Sequence, residues 1–240
     1  MAQFQTYSAT LLRSQRLSGE TFHLEFELSG LPRLGFVAGQ WLSVKGVTPT
    51  GEEITRAYSI ASAPSGNGQF AFCMNRVQDG FMSNHLCDLR AGQAIQFQGP
   101  FGSFILRPPL RDTVLVATGT GVAPFRSMLH WLFAEPTRHE GQAWWLLFGA
   151  RNEQDIYYRE EFEQFASAHG NFHFLPTLSR GGPGWKGLRG YVQEHLPGIV
   201  GQRTDMRAYI CGLEKMVTTN RDLLKSLGWD RKQILYEKYD

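Results

Sequence analysis

The strongest constraint on this chain is a change of rhythm near residues 107–112, where Arg107-Pro108-Pro109 separates two kinds of apolar pattern. Before it, short runs alternate apolar and polar residues. Phe22, Leu24, Phe26 and Leu28 fall on every second position, which places one face of a strand in a core. Similar runs recur at 40–47, 56–61, 69–76 and 94–97. They are punctuated by Gly30-Leu31-Pro32, Pro49-Thr50-Gly51 and Pro64-Ser65-Gly66-Asn67-Gly68. Several short strands at regular spacing predict a small antiparallel β-barrel, with one helical patch near 83–89. After the prolines, continuous apolar runs at 113–117, 144–148, 172–178 and 208–211 are separated by helical stretches ending near Phe133 and spanning 159–168 and 214–227. Runs without alternation, spaced by helices, predict a parallel sheet covered on both faces. The expected organisation is therefore two domains, 1–107 and 108–240, a barrel followed by an α/β unit.

Composition removes several classes of function. A net charge of +2, with no dense Lys/Arg run, argues against nucleic acid. The three cysteines, Cys73, Cys87 and Cys211, are far apart and odd in number, so no disulfide framework, zinc site or iron–sulfur centre can be assembled from them. His169 and His173 are separated by Gly170-Asn171 and do not share a helix face, so no metal site is expected. Asp155 and Glu160 to Glu163 read as the decoration of a helix start. Residues 1–18 contain no apolar h-region, and no stretch approaches eighteen apolar residues. The expectation is a soluble, cytoplasmic monomer with no membrane partner. Aromatics at 13% suit either a flat ligand or a well-filled β core.

Three short motifs carry chemistry. Arg56-Ala57-Tyr58-Ser59 combines a cation for a pyrophosphate, an aromatic face and a hydroxyl, as a flavin dinucleotide requires; an ordinary barrel strand is the alternative. On a strand Arg56 and Tyr58 share a face and Ser59 points away, so a twist or bulge is needed for all three to meet one ligand. Gly80-Phe81-Met82-Ser83 opens the helical patch, where free N–H groups favour an anion, although Ser83 would serve equally as an N-cap. Gly119-Thr120-Gly121 follows an apolar strand and opens a helix at about Val122, the context of a phosphate-binding turn. Pro124 stands where a third glycine would be, which leaves a ligand-free tight turn open.

These motifs, with Gly99-Pro100-Phe101-Gly102, Gly119 to Ser127, Phe148-Gly149-Ala150-Arg151, Ser179-Arg180 and Cys211-Gly212, stand in an order that resembles the ferredoxin–NADP⁺ reductase superfamily over about residues 7–240. The resemblance implies an antiparallel FAD-binding β-barrel domain followed by a Rossmann-like NAD(P)-binding α/β domain. It also implies that Arg56 pairs with the FAD pyrophosphate, that Tyr58 stacks on the isoalloxazine and that Ser59 hydrogen-bonds near flavin N5. The backbone around Met82 and Ser83 would cradle the pyrophosphate. Gly119, Thr120, Gly121, Val122 and Ala123 would hold the nicotinamide dinucleotide, with Cys211 beside the nicotinamide. In the ending Glu237-Lys238-Tyr239, Glu237 would balance charge and protons at the flavin and Tyr239 would cover its other face. Asp240 extends one residue beyond the aromatic on which plant-type members end, and Ala38 stands where proline is common.

Coenzyme choice rests on Arg151, Ser179 and Arg180 with Lys186 and Arg189. Residues 177–191 contain no acid to accept from a ribose 2′-OH and three cations for a 2′-phosphate, which favours NADPH. The glycines and proline of 181–187 read as a mobile loop near the adenosine end. The expected reaction is hydride transfer between NADPH and FAD, followed by single-electron exchange with a separate carrier, because the chain has no iron–sulfur cysteines of its own. That carrier would be a ferredoxin, a flavodoxin or an oxygenase component. The alternatives are an NADH-dependent reductase component of a multicomponent oxygenase, a flavin reductase that releases its flavin, and a non-catalytic flavin module.

Overall fold

The structure is a computed structural model and describes residues 5–239. Its strands are β1 (Thr6–Ser18), β2 (Thr21–Leu28), β3 (Trp41–Val47), β4 (Glu53–Ser59), β5 (Gln69–Asn75), β6 (Ala94–Phe101), β7 (Thr113–Thr118), β8 (Trp144–Ala150), β9 (Phe172–Leu178), β10 (Leu188–Arg189), β11 (Arg207–Leu213) and β12 (Ile234–Tyr239). The α-helices are α1 (Phe81–Cys87), α2 (Ala123–Phe133), α3 (Arg159–Ala168), α4 (Val192–Val200) and α5 (Glu214–Ser226). The chain divides into two units. One contains residues up to Leu106 together with Ala123–Trp131; the other contains Arg107–Val122 and the residues from Leu132 onward.

The first unit is an antiparallel sheet in the order β4-β3-β6-β1-β2-β5. A bridge between Ile60 and Phe72 joins its two edges, so no open edge is left at that corner. The alternation of β2 puts Leu24, Phe26 and Leu28 inside. There Phe26 stacks on Phe70 at 5.5 Å between ring centroids, and Phe70 meets Phe97 edge-on at 5.2 Å. Truncating any one of these rings would cost about 3–5 kcal/mol. The long strand β1 carries almost no periodic signal. Only Ala9 and Leu11 are fully buried along it, and two register shifts break its pairing with β2.

The second unit is a parallel sheet in the order β10-β9-β8-β7-β11-β12. The continuous apolar runs follow from burial on both faces. Val114 and Val116 face one side of β7 and Leu115 and Ala117 the other, and all four are fully buried. Val192, Leu196 and Val200 recur at every fourth position and pack α4 into the core formed with Val114, Val116 and Ile210. That stripe sustains a helix through Pro197, which removes one backbone donor. The strand order reverses direction between β7 and β11, so the carboxyl ends of these two strands flank a crevice of the kind that receives ligands in open α/β sheets.

Candidate functional site

In the barrel unit the candidate residues lie along β4 and at the start of α1. Arg56 is exposed; its Nη1 donates to the carbonyl of Thr55 at 2.8 Å, and among the described residues its charge has no acidic partner. Tyr58 is half-buried with its ring 5.5 Å from Phe72. Burial pushes the Tyr58 phenol well above its ordinary value, the Cys87 thiol of α1 adds to this, and Arg56 opposes it, so Tyr58 stays neutral. Ser59 is buried where β4 ends, and Ile60 and Ala61 after it are also buried, so strict alternation stops at the serine.

The Gly80 turn is built differently from an N-cap by Ser83. Gly80 itself is the N-cap of α1, with no side-chain capping bond. The Ser83 hydroxyl donates to the carbonyl of Gly80 at 3.0 Å and accepts from the Val77 N–H at 3.1 Å, closing the turn from within. Met82 is buried beneath Gly46, where an added Cβ would lie 2.7 Å from its Cε. Neither side chain faces a ligand, and backbone N–H groups are what this turn can offer an anion. An unpaired cation, a neutral aromatic and a helix start on neighbouring elements fit a flavin dinucleotide.

In the α/β unit the residues from Gly119 to Val122 form one 3₁₀ turn between β7 and α2, with Pro124 in the first turn of the helix. Gly119 has φ +55° and no atom within 4 Å of where a Cβ would stand, so its outer face is open. Gly121 is the opposite case. A Cβ there would collide with the Cys211 carbonyl oxygen and lie 2.6 Å from the carbonyl carbon and 2.8 Å from Gly212 Cα. The glycine turn and the end of β11 are thus in backbone contact across the crevice. Thr118 ends β7 beside them, and its Oγ1 is buried with no hydrogen-bond partner among the described residues. An orphaned hydroxyl beside an open glycine turn, at the carboxyl ends of parallel strands, fits a dinucleotide.

Cys211 is fully buried opposite Glu237 in the β11–β12 pairing. Burial pushes its thiol far up, the Glu237 carboxylate pushes the same way, and a hydrogen bond with the Tyr239 side chain opposes them. Cys211 is therefore a neutral thiol rather than a nucleophile. Cys211, read apart from the Glu237-Lys238-Tyr239 ending in the sequence, forms one cluster with Glu237 and Tyr239. Asp240 lies outside the described residues.

Arg151 and Arg180 extend from the carboxyl ends of β8 and β9, locked together by the Arg180 N–H donating to the Arg151 carbonyl at 2.8 Å; Ser179 beside Arg180 is exposed, and its Oγ donates to the Ala150 carbonyl at 3.4 Å. Arg151, Arg180 and Lys186 are exposed and make no side-chain hydrogen bond or ion pair among the described residues. Two expectations change here. Arg189 is exposed but is not a free cation; its guanidinium donates to the carbonyls of Gly181, Gly182 and Trp185. For the same reason 181–187 is a tied loop rather than a mobile one. Sequence reasoning passed over Thr118, whose only signal is its place before the glycine turn. It also passed over Tyr191, 60% exposed beside the end of β9, where the Gly190 N–H donates to the Leu178 carbonyl.

Comparison with known proteins agrees with both halves. Residues 8–105 match an oxidoreductase FAD-binding domain and residues 115–222 an oxidoreductase NAD-binding domain. The chain is 41% identical to ferredoxin–NADP reductase B of Sorangium cellulosum, with both proteins covered in full. It is 27% identical to the toluate 1,2-dioxygenase electron transfer component of Pseudomonas putida, over 97% of this chain and 67% of that one. Among solved structures, a cytochrome P450 reductase of Amycolatopsis superposes with a TM-score of 0.86 at 25% identity, covering 98% of this chain and 70% of that one. A ferredoxin NADP⁺ reductase of Neisseria gonorrhoeae with bound FAD and NADP superposes with a TM-score of 0.84 at 22% identity, covering 98% and 99%. With an antiparallel FAD-binding barrel, a parallel NAD-binding sheet and these relatives, the chain belongs to the ferredoxin–NADP⁺ reductase superfamily.

Proposed function

We propose that this chain is a ferredoxin–NADP⁺ reductase: an FAD-dependent oxidoreductase that moves a hydride between NADPH and FAD and exchanges single electrons with a ferredoxin- or flavodoxin-like carrier. FAD supplies the conversion between two-electron and one-electron chemistry. Arg56 would neutralise its pyrophosphate, the turn at Met82 and Ser83 would add backbone donors, and Tyr58 would lie against its ring system. Ser59 offers a hydroxyl at the reacting edge. The glycine turn 119–123 holds the coenzyme pyrophosphate at the start of α2, and Thr118 with the neutral Cys211 thiol shapes the nicotinamide end. Glu237 would balance charge and protons for the flavin, and Tyr239 would cover the flavin until nicotinamide displaces it.

The observation that carries the coenzyme reading is the group of three unpaired cations, Arg151, Arg180 and Lys186, beside a turn with no acid between 177 and 191. A 2′-phosphate would satisfy these charges, and a ribose 2′-hydroxyl would not. The similarity to an oxygenase electron transfer component keeps an oxygenase partner as the second reading. Steady-state reduction of ferricyanide with each coenzyme tests the proposal: kcat/KM is expected to favour NADPH by at least about tenfold, and comparable values for NADH would overturn it. Among the described residues no helix is long and apolar enough to cross a membrane. We further place the protein in the cytoplasm, in keeping with three cysteines that form no disulfide, and as a monomer, which size-exclusion chromatography tests.

A further inference from the structure

Arg189 sits exposed in the basic loop, yet three of its guanidinium N–H groups are spent on the loop's own backbone. Nη1 donates to the Gly181 carbonyl at 2.8 Å, and Nη2 donates to Gly182 at 2.9 Å and to Trp185 at 2.7 Å. The loop that these bonds close is wrapped around an indole. Trp185 is only 8% exposed, and its Nε1 donates to the Leu188 carbonyl at 2.8 Å. Gly181 and Gly187 lie so close to the ring that a Cβ on Gly181 would be 3.1 Å from Trp185 Cδ1 and one on Gly187 would strike the six-membered ring. The indole is also covered by the Arg159 guanidinium, 5.5 Å from the ring centroid, which is itself paired with Glu153 and Glu163. Without these ties a segment with four glycines and a proline in seven residues would sample many conformations.

We propose that Arg189 is a positioning residue that sets selectivity for a 2′-phosphorylated adenosine without touching it. It staples residues 181–185, so that Arg180 before the staple and Lys186 after it are held as a preformed pair of cations for the phosphate. The inference rests on the NADPH reading given above. A direct phosphate ligand needs its charge, whereas a staple needs the planar fork that bridges three carbonyls, and lysine supplies the first but not the second.

The test uses the full-length, FAD-loaded protein and calorimetric binding of 2′,5′-ADP and 5′-AMP. Arg189→Lys is expected to weaken 2′,5′-ADP by about tenfold or more while 5′-AMP changes by less than about threefold. In an Arg180→Ala/Lys186→Ala background the same change is expected to add less than about twofold, because the groups it positions are gone. Full affinity in Arg189→Lys, or an undiminished effect in the double-alanine background, would overturn the staple in favour of direct contact. Should Arg189→Lys fail to retain FAD and fold, Trp185→Phe tests the same loop. It deletes the bond to Leu188 and is expected to weaken 2′,5′-ADP several-fold, and unchanged selectivity would overturn the proposal. Equal binding of the two nucleotides by the wild type is a different failure, since it removes the NADPH reading itself and the role of Arg189 with it.

Discussion

Gly121 and Gly119 stand two residues apart in one turn, and the structure assigns them opposite sensitivities. Alanine at Gly121 would place a Cβ against the Cys211 carbonyl group and 2.8 Å from Gly212 Cα. All of these are backbone atoms at the end of β11, a strand held on both sides, so they cannot swing away as a side-chain tip could. Overpacking of this kind costs about 2–3 kcal/mol, which for a chain of this size lowers the melting temperature by roughly 4–12 °C. At Gly119 a Cβ meets nothing within 4 Å, and only the φ of +55° opposes it. That strain is worth about 1 kcal/mol, or roughly 2–4 °C. The open side of Gly119 is, however, where a coenzyme pyrophosphate would approach. Thermal unfolding with saturating FAD, paired with NADPH titration, separates the two variants. Gly121→Ala is expected to show the larger loss of stability, and Gly119→Ala the larger loss of NADPH affinity relative to its loss of stability. A Gly121→Ala protein with an unchanged melting temperature would refute the backbone contact across the crevice.

Other consequences are open to measurement. Ser59→Ala should slow flavin reduction by NADPH by about tenfold or more while FAD survives desalting; unchanged rates would make Ser59 a structural residue. Arg180→Ala should lower kcat/KM for NADPH by about tenfold and leave NADH within about threefold, and equal losses for both would argue against a 2′-phosphate contact. Burial holds the His169 imidazole below its ordinary value of 6.5, with the neighbouring His139 acting in the same direction. A depressed histidine contributes stability that is present above its unfolded pKa and is lost as pH falls below it. The melting temperature should therefore decline from about pH 7 to about pH 5.5, and His169→Gln should flatten that decline; an unaltered slope would exclude His169 as a source.

The parts of the fold that were legible in the sequence are those where burial and periodicity coincide. β2, with Phe22 to Leu28, and α3, at 159–168, carry patterns that packing did not override. β1 was silent because a bulged strand with only Ala9 and Leu11 fully inside has no clean period. α4 was hidden by Pro197 and Gly198, whose local preference yields to the stripe of Val192, Leu196 and Val200. At the site, order and spacing revealed the motifs but not the direction of side chains. Ser83 and Arg189 both look like ligand groups in one dimension, and both bind their own backbone. The grouping of Cys211, Glu237 and Tyr239 depends on the parallel pairing of β11 with β12, a contact across 26 residues of sequence that no local pattern encodes.

The central claim is that this chain uses NADPH to reduce its own FAD. Anaerobic rapid mixing of the FAD-loaded protein with NADPH, followed by flavin absorbance, tests it most directly. The account predicts bleaching within a single turnover, faster than with an equal concentration of NADH and restored by a one-electron acceptor. A flavin that stays oxidised in the presence of excess NADPH would contradict it.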